Sequence, residues 1–169
     1  MSDQPFRAIC IAGPSDAGKT SLIEALVPRL SAFRVGTIKS IHHDIDPDTS
    51  GADTHRHRQA GAETVVGITP TLSFEFTTGG KQHPPPNSDA GWLVETDDPE
   101  LRALESTLGQ LAHRGYELVL IEGFSASPLP TIVVGDRSTT GPVIGSDSDD
   151  TETLAEAITS VEPLAVPRL

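Results

Sequence analysis

Gly13-Pro14-Ser15-Asp16-Ala17-Gly18-Lys19-Thr20 follows an apolar run at residues 6–12, interrupted only by Arg7, that reads as a buried strand, and precedes Leu22, Ile23, Leu26, Val27 and Leu30, which recur at helical spacing. A strand, a glycine-bearing loop and a helix start, in that order, make a phosphate-binding unit in which the helix begins where the phosphate ends. Gly13 and Gly18 let successive backbone N–H groups converge on phosphate oxygens. Lys19 is placed to reach the β- and γ-phosphates, and the Thr20 hydroxyl to complete Mg²⁺ coordination. The Asp16 carboxylate is expected to point away from a cavity meant for anions. A purely structural glycine turn explains the loop but neither of its flanks.

Working outward, strands are expected at residues 33–38, 65–68, 71–77, 91–96, 116–121, 131–134 and 142–144. Helices are expected from Asp53 or Thr54 to Ala60, from Asp98 or Pro99 to Gly115, and around 154–158. The stripe Leu101, Leu104, Leu108 and Leu111 is read as the face that covers the sheet. This alternation predicts an α/β fold with a mainly parallel central sheet, helices on both faces and an antiparallel extension. The extension is expected to join the main sheet and make it mixed. The chain reads as a single nucleotide-binding domain over 1–169, with a strand and loop insertion at 64–96. Within it Gly79-Gly80 and Pro84-Pro85-Pro86 bracket an exposed excursion whose strands suit an edge or a dimer contact.

The 169 residues carry 24 acidic and 12 basic side chains, a formal charge of −12. That balance argues against a general nucleic-acid surface and suits solubility in a salty cytoplasm. Cys10 is the only cysteine, so an intrachain disulfide and a multi-cysteine metal centre are excluded; on the first strand it reads as core packing. No stretch is long and apolar enough to cross a bilayer, so a cytoplasmic location without membrane attachment is expected.

Glu122 ends an apolar strand and is expected at the sheet's carboxyl edge, beside the loop, where its carboxylate coordinates Mg²⁺ or orients water. Helix-cap or loop hydrogen bonding is its structural alternative. Lys39 ends the second strand and adds positive charge for a phosphate, while Arg56 and Arg58 either clamp a second phosphate or balance nearby carboxylates. His42-His43-Asp44-Ile45-Asp46-Pro47-Asp48, with His55 and His57, holds donors for a transition metal but no ligand motif such as HExxH; an ordered polar loop is the favoured reading. Asp147 can accept guanine N–H groups or simply face solvent, and no Asn-Lys-x-Asp segment is present.

The ordered set of the 13–20 loop, Gly36-Thr37-Ile38-Lys39, His42-His43-Asp44-Ile45-Asp46, residues 50–62, Glu122-Gly123-Phe124 and Pro128-Leu129-Pro130 resembles the MobB family of molybdopterin-guanine dinucleotide biosynthesis adapter proteins. The resemblance spans residues 9–134. It implies a P-loop NTPase-like three-layer fold, a homodimer, binding of GTP and Mg²⁺ with weak GTP hydrolysis, and cooperation with a MobA-type guanylyltransferase. The reaction so assisted attaches GMP to molybdopterin. Molybdopterin or its guanine dinucleotide is then a bound cofactor, and proteins that deliver or accept molybdopterin are further partners.

By this resemblance Lys19, Thr20 and Glu122 carry any catalysis, Thr20 and Glu122 hold the metal, and Gly13, Pro14, Ser15, Asp16, Ala17, Gly18, Lys19, Thr20 and Ser21 contact the nucleotide. Lys39, Asp53 and Arg56 form an adjacent nucleotide or pterin surface. The chain departs from the family at Ser40, Ala52, Ser125 and Thr131, where family sequences often carry histidine or a basic residue. Fewer cations weaken phosphate attraction. Two other readings of the same loop are a small-molecule kinase, which needs an organised acceptor pocket, and a nucleotide-sensing scaffold without turnover.

Overall fold

The computed structural model describes residues 5–82 and 91–167. In chain order the elements are β1 (Arg7–Ala12), α1 (Lys19–Leu26), a 3-10 turn (Val27–Leu30), β2 (Val35–Lys39), α2 (Asp53–Gln59), β3 (Thr64–Ile68) and β4 (Ser73–Thr77). They continue with α3 (Pro99–His113), β5 (Leu118–Glu122), β6 (Thr131–Val133), β7 (Val143–Ser146) and α4 (Thr151–Thr159). Five strands form one sheet in the order β2-β5-β1-β6-β7, and every neighbouring pair in it is parallel.

The central pair explains the sheet. Ile9, Ile11, Leu118, Leu120 and Ile132 pack on one face with Leu26, Leu30, Leu154 and Ile158, while Ala8, Cys10, Val119 and Ile121 pack on the other with Leu104 and Leu108. Strands covered on both faces read as unbroken apolar runs, which is how residues 8–12 and 118–121 read. Each fully buried Leu or Ile contributes roughly 1.5–3 kcal/mol of transfer free energy. The leucine stripe of α3 covers the sheet as expected. Asp98 caps that helix by accepting from the Glu100 N–H at 2.9 Å, with Pro99 in its first turn. Pro28 supplies no N–H, and α1 gives way to the 3-10 turn that contains it.

Two expectations are corrected. The antiparallel extension exists, but among the described residues β3 and β4 pair only with each other, and the central sheet they form no part of is parallel throughout. The segment 91–96 is not a strand. Its N–H groups instead turn toward the buried carboxylate of Glu105, which accepts from Gly91 at 2.7 Å, Leu93 at 2.8 Å and Val94 at 3.4 Å. A buried carboxylate so satisfied replaces a strand ladder for three backbone donors. Pro84, Pro85 and Pro86 lie outside the described residues. Cys10 is buried in the core, and burial pushes its thiol up to about 11 against a hydrogen bond shared with Ser127. Among the described residues no helix is long and apolar enough to cross a membrane.

Candidate functional site

In a parallel sheet all carboxyl ends lie along one edge, which brings the ends of β1, β5 and β2 together. A cleft of about 760 Å³ opens there. Gly13, Ser15, Asp16, Gly18, Lys19, Thr20 and Ser21 line it, together with Glu122, Lys39, His42, Phe124 and Arg137.

The backbone of the 13–20 loop is fixed by two different uses of glycine. Gly13 lies against the end of β6: a Cβ there would come 2.3 Å from the Val134 carbonyl oxygen, so only glycine fits. Gly18 has φ +97°, the left-handed region, and precedes the first residue of α1. Asp16 shares that region at φ 59°, which aspartate tolerates better than most residues with a Cβ. Gly18 supplies no side chain to cap α1, so the first N–H groups of the helix are open to an anion.

Four side chains complete the constellation. Lys19 Nζ donates to the carbonyl oxygens of Gly13 and Pro14, at 2.8 and 2.5 Å, folding its ammonium over the loop. Thr20 Oγ1 donates to Glu122 Oε2 at 2.9 Å, across a separation of 102 residues. Lys39 Nζ donates to the other oxygen, Oε1, at 3.0 Å. The Glu122 side chain is only 12 % exposed. Burial pushes its carboxyl up, but the hydrogen bonds from Lys39 and Thr20, with the charges of Lys39 and Lys19, hold it below the ordinary glutamate value. The carboxylate is therefore ionised and presented to the cleft. A hydroxyl and a carboxylate in mutual contact form the hard oxygen donor set that Mg²⁺ prefers.

The structure does not bring α2 into this cleft. Asp53 and Arg56 lie outside its lining and face each other across a 3.8 Å ion pair, with side chains 90 % and 74 % exposed. Arg58 is occupied by carboxylates, Asp46 at 3.1 Å and Asp48 at 3.7 Å. Asp48 also accepts from the Thr49 N–H and the Thr54 hydroxyl, and His55 lies 3.7 Å from Asp46. These contacts make the histidine-rich stretch an ordered polar loop. Of its histidines, His42 and His43 line the cleft and His55 and His57 do not. Among the described residues no group of three or more His, Cys, Asp or Glu side chains is placed to hold a metal ion.

The contacts that Ser40 makes, and the presence of Glu100 and Arg137 at the cleft, carry no signal in the sequence. Ser40 is buried at the end of β2 and donates to Glu100 Oε1 at 2.9 Å, and Lys81 reaches the same oxygen at 2.7 Å. Burial opposes ionisation of Glu100, yet Lys81 and Ser40 keep its carboxyl below the ordinary value. Gly123 has φ +103°, and a Cβ there would come 2.8 Å from Ser40 Cβ, so the Glu-Gly-Phe turn is shaped by the residue after Lys39. Arg137 enters from beyond β6. A lone arginine in a loop announces nothing by itself; only the topology places it.

A family model described as MobB, molybdopterin guanine dinucleotide synthesis protein B, matches residues 8–157. The chain is 31% identical over 135 residues to a molybdopterin-guanine dinucleotide biosynthesis adapter protein of Haemophilus influenzae, covering 79% of this chain and 65% of that protein. It is 31% identical over 131 residues to the Escherichia coli adapter protein, covering 75% and 63%. It thus spans a little under two thirds of the length of both relatives. Among solved structures, Bacillus subtilis MobB superposes with a TM-score of 0.60 at 18% identity, over 92% of this chain and 100% of that one. A further molybdopterin-guanine biosynthesis protein B superposes with a TM-score of 0.56 at 24% identity, over 90% and 97%. With the family model matched across most of its length, the chain belongs to the MobB family.

Proposed function

We propose that this protein is a GTP-binding adapter of molybdenum cofactor biosynthesis, with a P-loop NTPase-like nucleotide site, which assists a MobA-type guanylyltransferase in attaching GMP to molybdopterin. The observation that carries the nucleotide site is the chain Thr20–Glu122–Lys39 at the mouth of a loop whose helix N-terminus faces the same cleft. The open N–H groups of α1 take phosphate oxygens, and Lys19 transfers its donors from loop carbonyls to the β- and γ-phosphates. Thr20 and Glu122 hold Mg²⁺, which supplies charge neutralisation between the phosphates when bound. Weak GTP hydrolysis belongs to the same reading and rests on the family resemblance, with Glu122 placed to orient water at the loop. The adapter role rests on the resemblance to the two curated adapter proteins. A homodimer is part of the same reading, with molybdopterin or its dinucleotide and the proteins that deliver or accept it as further ligands and partners.

The test is calorimetric titration of GTP–Mg²⁺ into wild type and Lys19→Ala, with ATP as competitor. Losing the charged donor is expected to weaken GTP by about 10- to 150-fold, the equivalent of one or more charge-assisted hydrogen bonds. Equal affinity in the two proteins sinks the proposed site, and preferential binding of ATP sinks the guanine assignment.

A further inference from the structure

The cleft holds a cation that the proposed nucleotide site leaves unused. Arg137 lines the same cleft as Lys19, Thr20 and Glu122, but it comes from the loop after β6. Its Nη2 donates to Ser125 Oγ at 3.2 Å, on the loop after β5. The Thr140 N–H also donates to the Ser125 carbonyl, at 3.0 Å, so the two loops are tied by two bonds. In the sheet, β1 lies between β5 and β6. The Arg137–Ser125 contact therefore joins the loops on either side of the strand that carries the 13–20 loop.

The start of the Arg137 loop is firmly seated. Gly135 has φ +69° and packs against the 13–20 loop, where a Cβ would lie 3.5 Å from Pro14 Cδ and 3.9 Å from Ala17 Cβ. Its N–H donates to Asp147 Oδ2 at 3.1 Å. Among the described residues no carboxylate forms an ion pair with Arg137. In a chain with twice as many acids as bases, a guanidinium at an anion-binding cleft that pairs with no acid retains its donor fork for a ligand. Strand spacing places the ends of β2 and β6 roughly 14 Å apart, so Lys39 and Arg137 approach the cleft from separate sides.

We propose that Arg137, steadied by Ser125, is a phosphate-binding residue of this cleft and takes phosphoryl oxygens that the 13–20 loop does not reach. The inference rests on the nucleotide reading of the cleft. Its ligand chemistry is a dianionic phosphoryl group, which two sources supply: the terminal phosphate of the nucleotide, or a phosphate monoester on a second ligand beside it.

Calorimetry on the full chain separates the sources. Wild type, Arg137→Ala, Arg137→Lys and Ser125→Ala are titrated with GTP–Mg²⁺ and GDP–Mg²⁺. The same proteins, saturated with a non-hydrolysable GTP analogue, are then titrated with inorganic phosphate. Arg137→Ala is expected to lose about tenfold or more in one arm with GDP affinity kept, since a charge-assisted bond is at stake. A loss confined to GTP identifies the terminal phosphate, and one confined to inorganic phosphate identifies a second ligand. Arg137→Lys, a point charge without the fork, falls between wild type and alanine, and Ser125→Ala loses less than Arg137→Ala. Wild-type affinities within twofold in every arm for folded Arg137→Ala overturn the proposal and leave the nucleotide site standing. So does an equal loss for GTP and GDP accompanied by a lowered thermal midpoint, which marks a structural residue. A wild-type protein that binds no nucleotide overturns both.

Discussion

Two stretches of this chain are dense in polar residues, and the fold uses them in opposite ways. In the 42–58 stretch the charges meet one another: Asp46 and Asp48 take Arg58, His55 approaches Asp46, and Asp53 faces Arg56. In the 13–20 loop, by contrast, the helix opens on an uncapped glycine, and among the described residues the Lys19 ammonium hydrogen-bonds to neutral carbonyls, with no carboxylate in an ion pair with it. The first stretch spends its charge on its own shape, and the second leaves it for a ligand. Abundance of chemistry-bearing side chains is thus a poor guide to a site. What counts is whether their partners lie inside the protein.

The contrast breaks most severely at Gly13. Gly13→Ala forces a Cβ against the Val134 carbonyl, so the loop or β6 must move. The variant is expected to lose about 1–3 kcal/mol in urea denaturation and to bind GTP poorly even when folded. Arg58→Ala should show the reverse pattern. It removes the cation beside the Asp48 oxygen that already lacks a hydrogen bond, costing about 1–3 kcal/mol of stability while GTP affinity stays at the wild-type level. A large loss of affinity in Arg58→Ala would erase the distinction between the two stretches.

Acid sharpens it further. Glu122 and Glu100 titrate below the ordinary glutamate value of 4.5 in the folded chain. A depressed carboxyl contributes stability that is fully present above the unfolded value and is lost as pH falls through the folded one. Urea midpoints should therefore hold at neutral pH and decline as pH drops below about 4.5, with a shallower decline in Glu122→Gln. An unchanged slope in that variant would show that Glu122 gains nothing from Lys39 and Thr20. The smallest effect belongs to Arg56→Ala, whose exposed pair with Asp53 is worth about 0–1 kcal/mol. GTP affinity in that variant tests whether α2 contributes to the nucleotide surface at all.

Local pattern carried the central elements. The apolar runs that became β1 and β5, the leucine spacing of α3 and the glycine loop between strand and helix are all properties of short segments, and short-range physics decides them. The meeting of Thr20 with Glu122 was also legible, because parallel topology brings strand ends to one edge. Pairings set by tertiary packing were not. Trp92, Leu93 and Val94 look like a strand, yet a carboxylate on α3 claims the backbone donors there. Nothing local states that β3 and β4 prefer each other to the central sheet. The Ser40–Glu100–Lys81 and Arg137–Ser125 contacts join residues that only the completed fold makes neighbours.

The contact between Gly13 and Val134 has a consequence for how damage to this protein would present. The loop's position is borrowed from β6, a strand of three residues whose pairing with β7 shifts register between Thr131 and Ile132. A substitution that loosens that edge, at Thr131 or Ile132, lies outside the cleft lining and so changes no ligand-contacting group. It would nonetheless emerge in a binding assay as a defect of phosphate recognition. At this edge of the sheet, affinity and structural integrity are two readings of one mechanical linkage.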